Sequence, residues 1–176
     1  MCLLSCSSTT VTASPWGSVA GIPFAPVDGF FIPSQASNGD YNFIVFAVDQ
    51  VGYCSVLQAN ANAYLANMNV ATFTYSNPVG TGQFDPALGT YPVTAQQGTS
   101  SSAQVTFQTF SACNVSQPLP ATDGGVILSA VAIDLSQIQG SANVGFADAG
   151  TLVGQFLAPV CDLSFTVNGP NACIQN

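Results

Sequence analysis

Three strand-length apolar runs toward the C-terminal end set the pattern of this chain. They run from Gly124 to Asp134, from Ile138 to Phe146 and from Thr151 to Cys161, with polar or glycine-containing breaks between them. The middle run alternates apolar Ile138, Ala142, Val144 and Phe146 with polar Gln139, Ser141 and Asn143. That is the period-two signature of a half-buried strand, and the three runs predict an antiparallel meander.

Upstream, Ser37-Asn-Gly-Asp40 is a turn signal leading into Tyr41 to Val48, which is apolar on both faces and so suits a strand covered on both sides. From Asp49 the texture changes. Val51, Cys54, Leu57 or Gln58, Ala61, Tyr64, Leu65 and Met68 recur near helical spacing among Ala, Asn and Gln, which predicts a single helix with Asp49 as its N-cap. Val70 to Tyr75, Thr90 to Ala95 and Ala103 to Phe110 read as further strands, with Leu163 to Val167 as a last short one. Gln97 to Ser102 reads as a flexible polar link, and Asn168 to Cys173 as a turn.

The segment from Pro15 to Pro33 gathers Trp16, Phe24, Phe30 and Phe31 among prolines. Proline at this density disfavours a central strand and predicts an irregular, extended path. Its aromatics have three readings: a cap on the β core, a contact with another subunit, or a stacking surface for sugar rings. Ahead of it, residues 1–14 read as an extended N-terminal arm. Leu3-Leu-Ser-Cys6 looks like a lipid-attachment motif but lacks a basic region and a full apolar stretch before it. Together these elements predict one mostly β domain spanning residues 1–176, an antiparallel β-sandwich or jelly-roll with one short helix, held by disulfides.

Composition narrows the function more than any motif does. The chain has 176 residues and contains no Lys, Arg or His; its 8 acidic residues are all Asp, giving a net charge of −8. An ordinary chain of this length carries about 20 basic residues. Without them it would repel nucleic acid, whose binding depends on cations that neutralise phosphate. It would likewise repel an anionic membrane surface. Imidazole bases, Schiff-base amines and guanidinium clamps are absent too, so the expectation is a protein that is not an enzyme. No apolar run approaches the roughly 20 residues of a spanning helix.

Cysteines at positions 2, 6, 54, 113, 161 and 173 match no zinc spacing. Their even number in a β-rich chain points to disulfides formed outside the cytosol, with free buried thiols as the alternative. Cys54 closing onto Cys161 is the expected pair. Cys2, Cys6, Cys113 and Cys173 stay open among the remaining pairings. Asp28, Asp40 and Asp123 adjoin glycines, where an Asx side chain closes a turn. A calcium site built from Asp is the alternative, and no other cofactor is expected. Asn114-Val-Ser116 is a glycosylation sequon, a triplet that also arises by accident.

Ile44-Val-Phe followed by Gly52-Tyr-Cys54, Leu88-Gly-Thr-Tyr91-Pro-Val, Phe110-Ser-Ala-Cys113, and Gly125-Val-Ile-Leu through Leu152-Val-Gly-Gln-Phe-Leu-Ala-Pro-Val-Cys161 carry a resemblance. Over roughly residues 40 to 162 the chain resembles small secreted or lipid-anchored β-rich proteins of myxobacteria-like genomes, which share an L-x-G-x-F-x-A-P-x-C ending. The resemblance implies an exported, surface-associated β-protein and transfers no catalytic residue.

Two functions follow as expectations. One is a self-assembling extracellular subunit of a surface fibre, pilus-like filament or surface layer, whose partner is a second copy and whose joint is strand addition at a sheet edge. The other is a monomeric cell-surface module for carbohydrate or protein, which requires Trp16 and the phenylalanines near position 30 to be exposed. Under either, trypsin should leave the reduced, denatured chain at full length on a mass spectrum, because the sequence contains no site for it.

Overall fold

The computed structural model describes residues 15–35, 41–77, 87–95, 101–163 and 169–175. Its elements are β1 (Gly17–Val19), β2 (Ile22–Phe24), β3 (Asp28–Gln35), β4 (Tyr41–Val48), α1 (Tyr53–Ala59), β5 (Ala63–Leu65), β6 (Met68–Asn77) and β7 (Gly89–Pro92). They continue with β8 (Ser102–Ser111), β9 (Asn114–Val115), β10 (Leu119–Pro120), β11 (Asp123–Val131), β12 (Gln137–Gly145), β13 (Gly150–Pro159) and β14 (Ala172–Ile174). One six-stranded sheet runs β2-β1-β13-β12-β11-β7, and the other runs β10-β8-β6-β4-β3 with β9 also on β8. We call them the meander sheet and the aromatic sheet. They pack as an antiparallel sandwich, and β14 with β5 forms a small parallel pair beside it.

The expected meander is β11, β12 and β13, paired in register from Asp123↔Gly145 and Gly145↔Thr151 to Val131↔Ile138 and Gln137↔Pro159. Period-two alternation sends Val126, Leu128, Ala142, Val144, Leu152 and Phe156 inward. They meet Phe31, Phe43, Val45, Phe73, Tyr75, Val105 and Phe107 from the aromatic sheet. β4 is apolar on both sides because both are covered. Phe43, Val45 and Ala47 face the sandwich core, and Phe46 and Val48 face a second cluster beneath α1 with Phe30, Tyr53, Leu57, Leu65, Met68 and Val70.

Two large rings rest on glycines inside the meander sheet. The Trp16 indole lies where a Cβ on Gly154 would stand, and the Phe156 ring occupies the same position over Gly140. Rings this wide reach the sheet backbone only where the facing residue has no side chain.

The helix is shorter than its periodicity predicts. It ends at Ala59, and the continuation through Tyr64, Leu65 and Met68 is instead β5 and the start of β6. Asp49 is not the cap. Gly52 holds that position with φ 83°, while the Asp49 carboxylate accepts from the Asn69 backbone N–H (2.7 Å) and Nδ2 (2.6 Å). Apolar spacing alone could not separate one helix from a helix and two strands covering the same face.

The Pro-rich segment is likewise more regular than expected. It forms β1, β2 and β3, and the β1–β2 hairpin turns on Ala20 and Gly21, both at positive φ as a type I′ turn requires. The predicted arm 1–14 and almost all of the strand 163–167 lie outside the described residues.

Two stability predictions follow. Gly154→Ala should lower the free energy of unfolding by at least about 2 kcal/mol in urea titration, since the Trp16 ring cannot withdraw from a filled core. The second concerns alkali. Burial pushes the Tyr53 phenol up to about 12 from an ordinary 10.0. Burial, with Tyr91 beside it, raises Tyr75 well above that value, and burial raises Tyr91. A phenol with a raised folded pKa supports the fold fully below 10.0 and loses that support as pH rises through the folded value. Circular dichroism should therefore hold up to pH 10.0 and collapse toward about 12, together with phenolate absorbance. Phenolate absorbance appearing below pH 10.0 with the β signal intact would contradict it.

Candidate functional site

The aromatic residues singled out by sequence are buried in the β core, which fits the first of their three readings and removes the exposed stacking surface. Trp16 is 4% exposed, Phe24 0%, Phe30 2% and Phe31 0%. Trp16 stands edge-on to Phe24 with centroids 6.0 Å apart, and Phe24 edge-on to Phe107 at 5.4 Å. Phe31 points into the sandwich, whereas Phe30, one position earlier on β3, stacks on Phe46 at 4.9 Å on the helix side. Alternation along an edge strand thus sends neighbouring rings into two cores. Among the described residues the large exposed apolar side chains are all aliphatic.

Prolines and crossing segments occupy the edges of the two large sheets, where the expected strand addition would occur. Backbone polar groups alternate sides along a strand, so each observed bond fixes the direction of its neighbours. Phe24 carbonyl faces back to accept from Trp16 N–H, which turns Pro23 outward. Phe31 carbonyl faces away from β4 and accepts from Cys161 N–H (2.7 Å), which turns Pro33 outward too. By the same reasoning Val93 N–H bonding Gly124 directs Pro92 outward, and Ala121 N–H bonding Val105 directs Pro120 outward. The free side of β8 is occupied along its length by donors from Thr94, Ala121 and Ser116. Prolines and crossing segments leave few donors for an added strand.

The carboxylates are also engaged locally. Asp28 accepts from the backbone N–H of Gly29 (2.9 Å) and Gly52 (2.8 Å), the Asx contact expected beside Gly29 extended to the helix start. Asp123 accepts from the Thr122 hydroxyl and lies against Gly145. Asp134 accepts from the Ser136 hydroxyl (2.6 Å) and N–H (3.1 Å), bonds that hold its carboxyl below the ordinary carboxylate value. Asp40 lies outside the described residues. Among the described residues no group of three or more His, Cys, Asp or Glu converges as a metal site.

Cys54 and Cys161 form the expected disulfide, with Cα atoms 5.8 Å apart, and Cys113 bonds Cys173. Cys2 and Cys6 lie outside the described residues. Asn114 is exposed on β9, beside the second disulfide.

Two surfaces remain open. A groove of about 690 Å³ lies where β13 crosses onto β3, lined by Phe31, Ile32, Pro33, Val160 and Leu163 with Asp134, Ser136 and Asp162 at its polar side. Sequence reasoning missed it, although Asp134-Leu-Ser136 between two strands carries the Asx-turn signal for its rim. Chemically it offers apolar contact and acceptors. The Asp134 carboxylate, committed to its own turn, is a poor proton donor.

The other surface is the outer face of the meander sheet. Register aligns Thr90, Ile127, Ser141 and Gln155 in one row, and Pro92, Gly125, Asn143 and Val153 in the next. Ile127 is 44% exposed and Val153 55%. These rows hold no charge. Asp123 and Asp148 lie at one end of the strands, Asp134 and Asp162 at the other. No helix among the described residues is long and apolar enough to cross a membrane.

No protein-family model, curated protein or solved structure matches the chain. The resemblance of its C-terminal ending therefore rests on those residues alone.

The Cys54–Cys161 bridge closes a separation of 107 residues. Chain entropy assigns such a loop about 4–5 kcal/mol, slightly more than the loop behind Cys113–Cys173. The double variant Cys54→Ser with Cys161→Ser should move the urea midpoint down accordingly. An unchanged midpoint would mean that the unfolded chain is not restrained by this bridge.

Proposed function

We propose that the protein is an exported, non-enzymatic structural subunit that associates with copies of itself at the cell surface, in a fibre, filament or layer. The observation that carries this reading is the disposition of its polar groups. Asp28, Asp49 and Asp134 are tied to backbone or neighbouring side chains, and among the described residues no three of His, Cys, Asp or Glu converge. The broad surfaces between the acidic ends are uncharged. Two disulfides and a core sealed at its edges suit a part that persists outside the cell. The missing cations favour partners other than nucleic acid.

Repulsion among the Asp residues opposes association at neutral pH, and protonating them removes it. Sedimentation velocity should show reversible assembly that strengthens with concentration, with added salt and toward pH 3, with the β signal retained. Dispersed monomers at millimolar concentration under all of these conditions would end the proposal.

A second reading, a monomeric binding module, keeps one observation in its favour: the apolar groove beside Asp134 and Ser136. Its carbohydrate form loses the aromatic platform, because Trp16, Phe24, Phe30 and Phe31 are interior.

A further inference from the structure

We infer that one joint between copies is the outer face of the meander sheet, packed against the same face of a second copy about a two-fold axis, which closes a pair that a second contact would extend into a fibre or layer. This rests on the self-association just proposed and adds where it occurs. The choice follows from what the other surfaces lack. Strand addition meets Pro23, Pro33, Pro92 or Pro120 at the described edges, and β8 has its free side already bonded. On the aromatic sheet's outer side, α1 and β5 pack over Phe30, Val48, Met68 and Val70. The ends of the meander sheet carry Asp, so end-to-end contact brings like charges together.

The remaining face fits a copy of itself in charge and in size. Its central rows present hydroxyl, amide and aliphatic groups only, and amides and hydroxyls both donate and accept, so such a surface complements itself. Ile127 and Val153 supply apolar contact on either side of Ser141 and Asn143. The nine or ten residues of each of β11, β12 and β13 at the usual strand spacing, with the short β7 and β1 beside them, give a patch on the order of 500 Å² per copy. A pair then covers about 1,000 Å², the lower limit for a specific interface, so the contact is reversible rather than permanent. Face-to-face sheets pack about 10 Å apart, which leaves the Asp residues at the rim in water. A neutral polysaccharide would also tolerate an uncharged face, but none of the exposed large apolar residues described is an aromatic that could stack on sugar rings.

Ser141 lies on β12 at the centre of the face, and Ser55 lies exposed on α1, far from it. The test compares wild type with Ser141→Arg, Ser141→Ala and Ser55→Arg by sedimentation velocity at neutral pH, with circular dichroism confirming each fold. Ser141→Arg should weaken association at least about tenfold, because the axis brings two like charges together in a dry interface. Ser141→Ala and Ser55→Arg should associate as wild type does. If Ser141→Arg unfolds, Gln155→Arg on the same row takes its place. Undiminished association of both arginine variants, once folded, would move the joint elsewhere and leave self-association standing. A wild type monomeric at every concentration would remove both. A monomeric wild type held on insoluble neutral polysaccharide and released by Ser141→Arg would overturn the second copy as occupant and give the face to the glycan.

Discussion

A chain without cations must satisfy its carboxylates with N–H and O–H donors, and much of this structure follows from that constraint. Asp28 joins the start of β3 to the turn before α1 through two backbone donors, and Asp49 joins the end of β4 to β6 through Asn69. These two carboxylates work as brackets between elements that are not consecutive in the chain, a role that ion pairs fill in most proteins. Such brackets must form where backbone donors are free, so they gather at turns and strand ends. The faces of the sheets are left to hydroxyls, amides and aliphatic groups.

The same economy governs the borders of the sandwich. A sheet with open edges and little charge would pair indiscriminately with other chains. Here proline stands where an edge donor would point outward, and short segments cross from one sheet to the other. The strand end at Val160 and Cys161 leaves the meander sheet to bond Phe31. On the opposite side Val93 and Thr94 pass from β11 to β8. Closure of this kind steers any association toward the faces, where side chains decide specificity.

The meander was legible because its middle strand alternates between two strand-length apolar runs, and β4 because two covered faces leave an uninterrupted apolar run. The Cys54–Cys161 pair was legible in outline, since one cysteine follows a buried strand and the other ends the meander. What escaped the sequence depends on long-range partners. Trp16 keeps three readings until Gly154, 138 positions later in the numbering, is seen to leave room for it in the core. The stretch from Ala61 to Met68 reads as helix until β14, from the far end of the chain, supplies a partner for β5. The edges were hidden for the same reason: a proline's direction is fixed by its neighbours' bonds, not by its own identity. The groove exists only because β13 crosses onto β3.

The covalent bridge between Cys54 and Cys161 also determines how the molecule would carry a mechanical load. Tension applied at the two ends of the chain enters the bridge at Cys54 and leaves it at Cys161, so the intervening 107-residue span bears none of it. That span contains most of both sheets. Unravelled, it would lengthen the chain by roughly 360 Å, and the bridge withholds all of that extension. Only the flanking segments can yield, including β1 to β4 on one side. Under load the molecule would lengthen through these flanking segments while the bridged span kept its length.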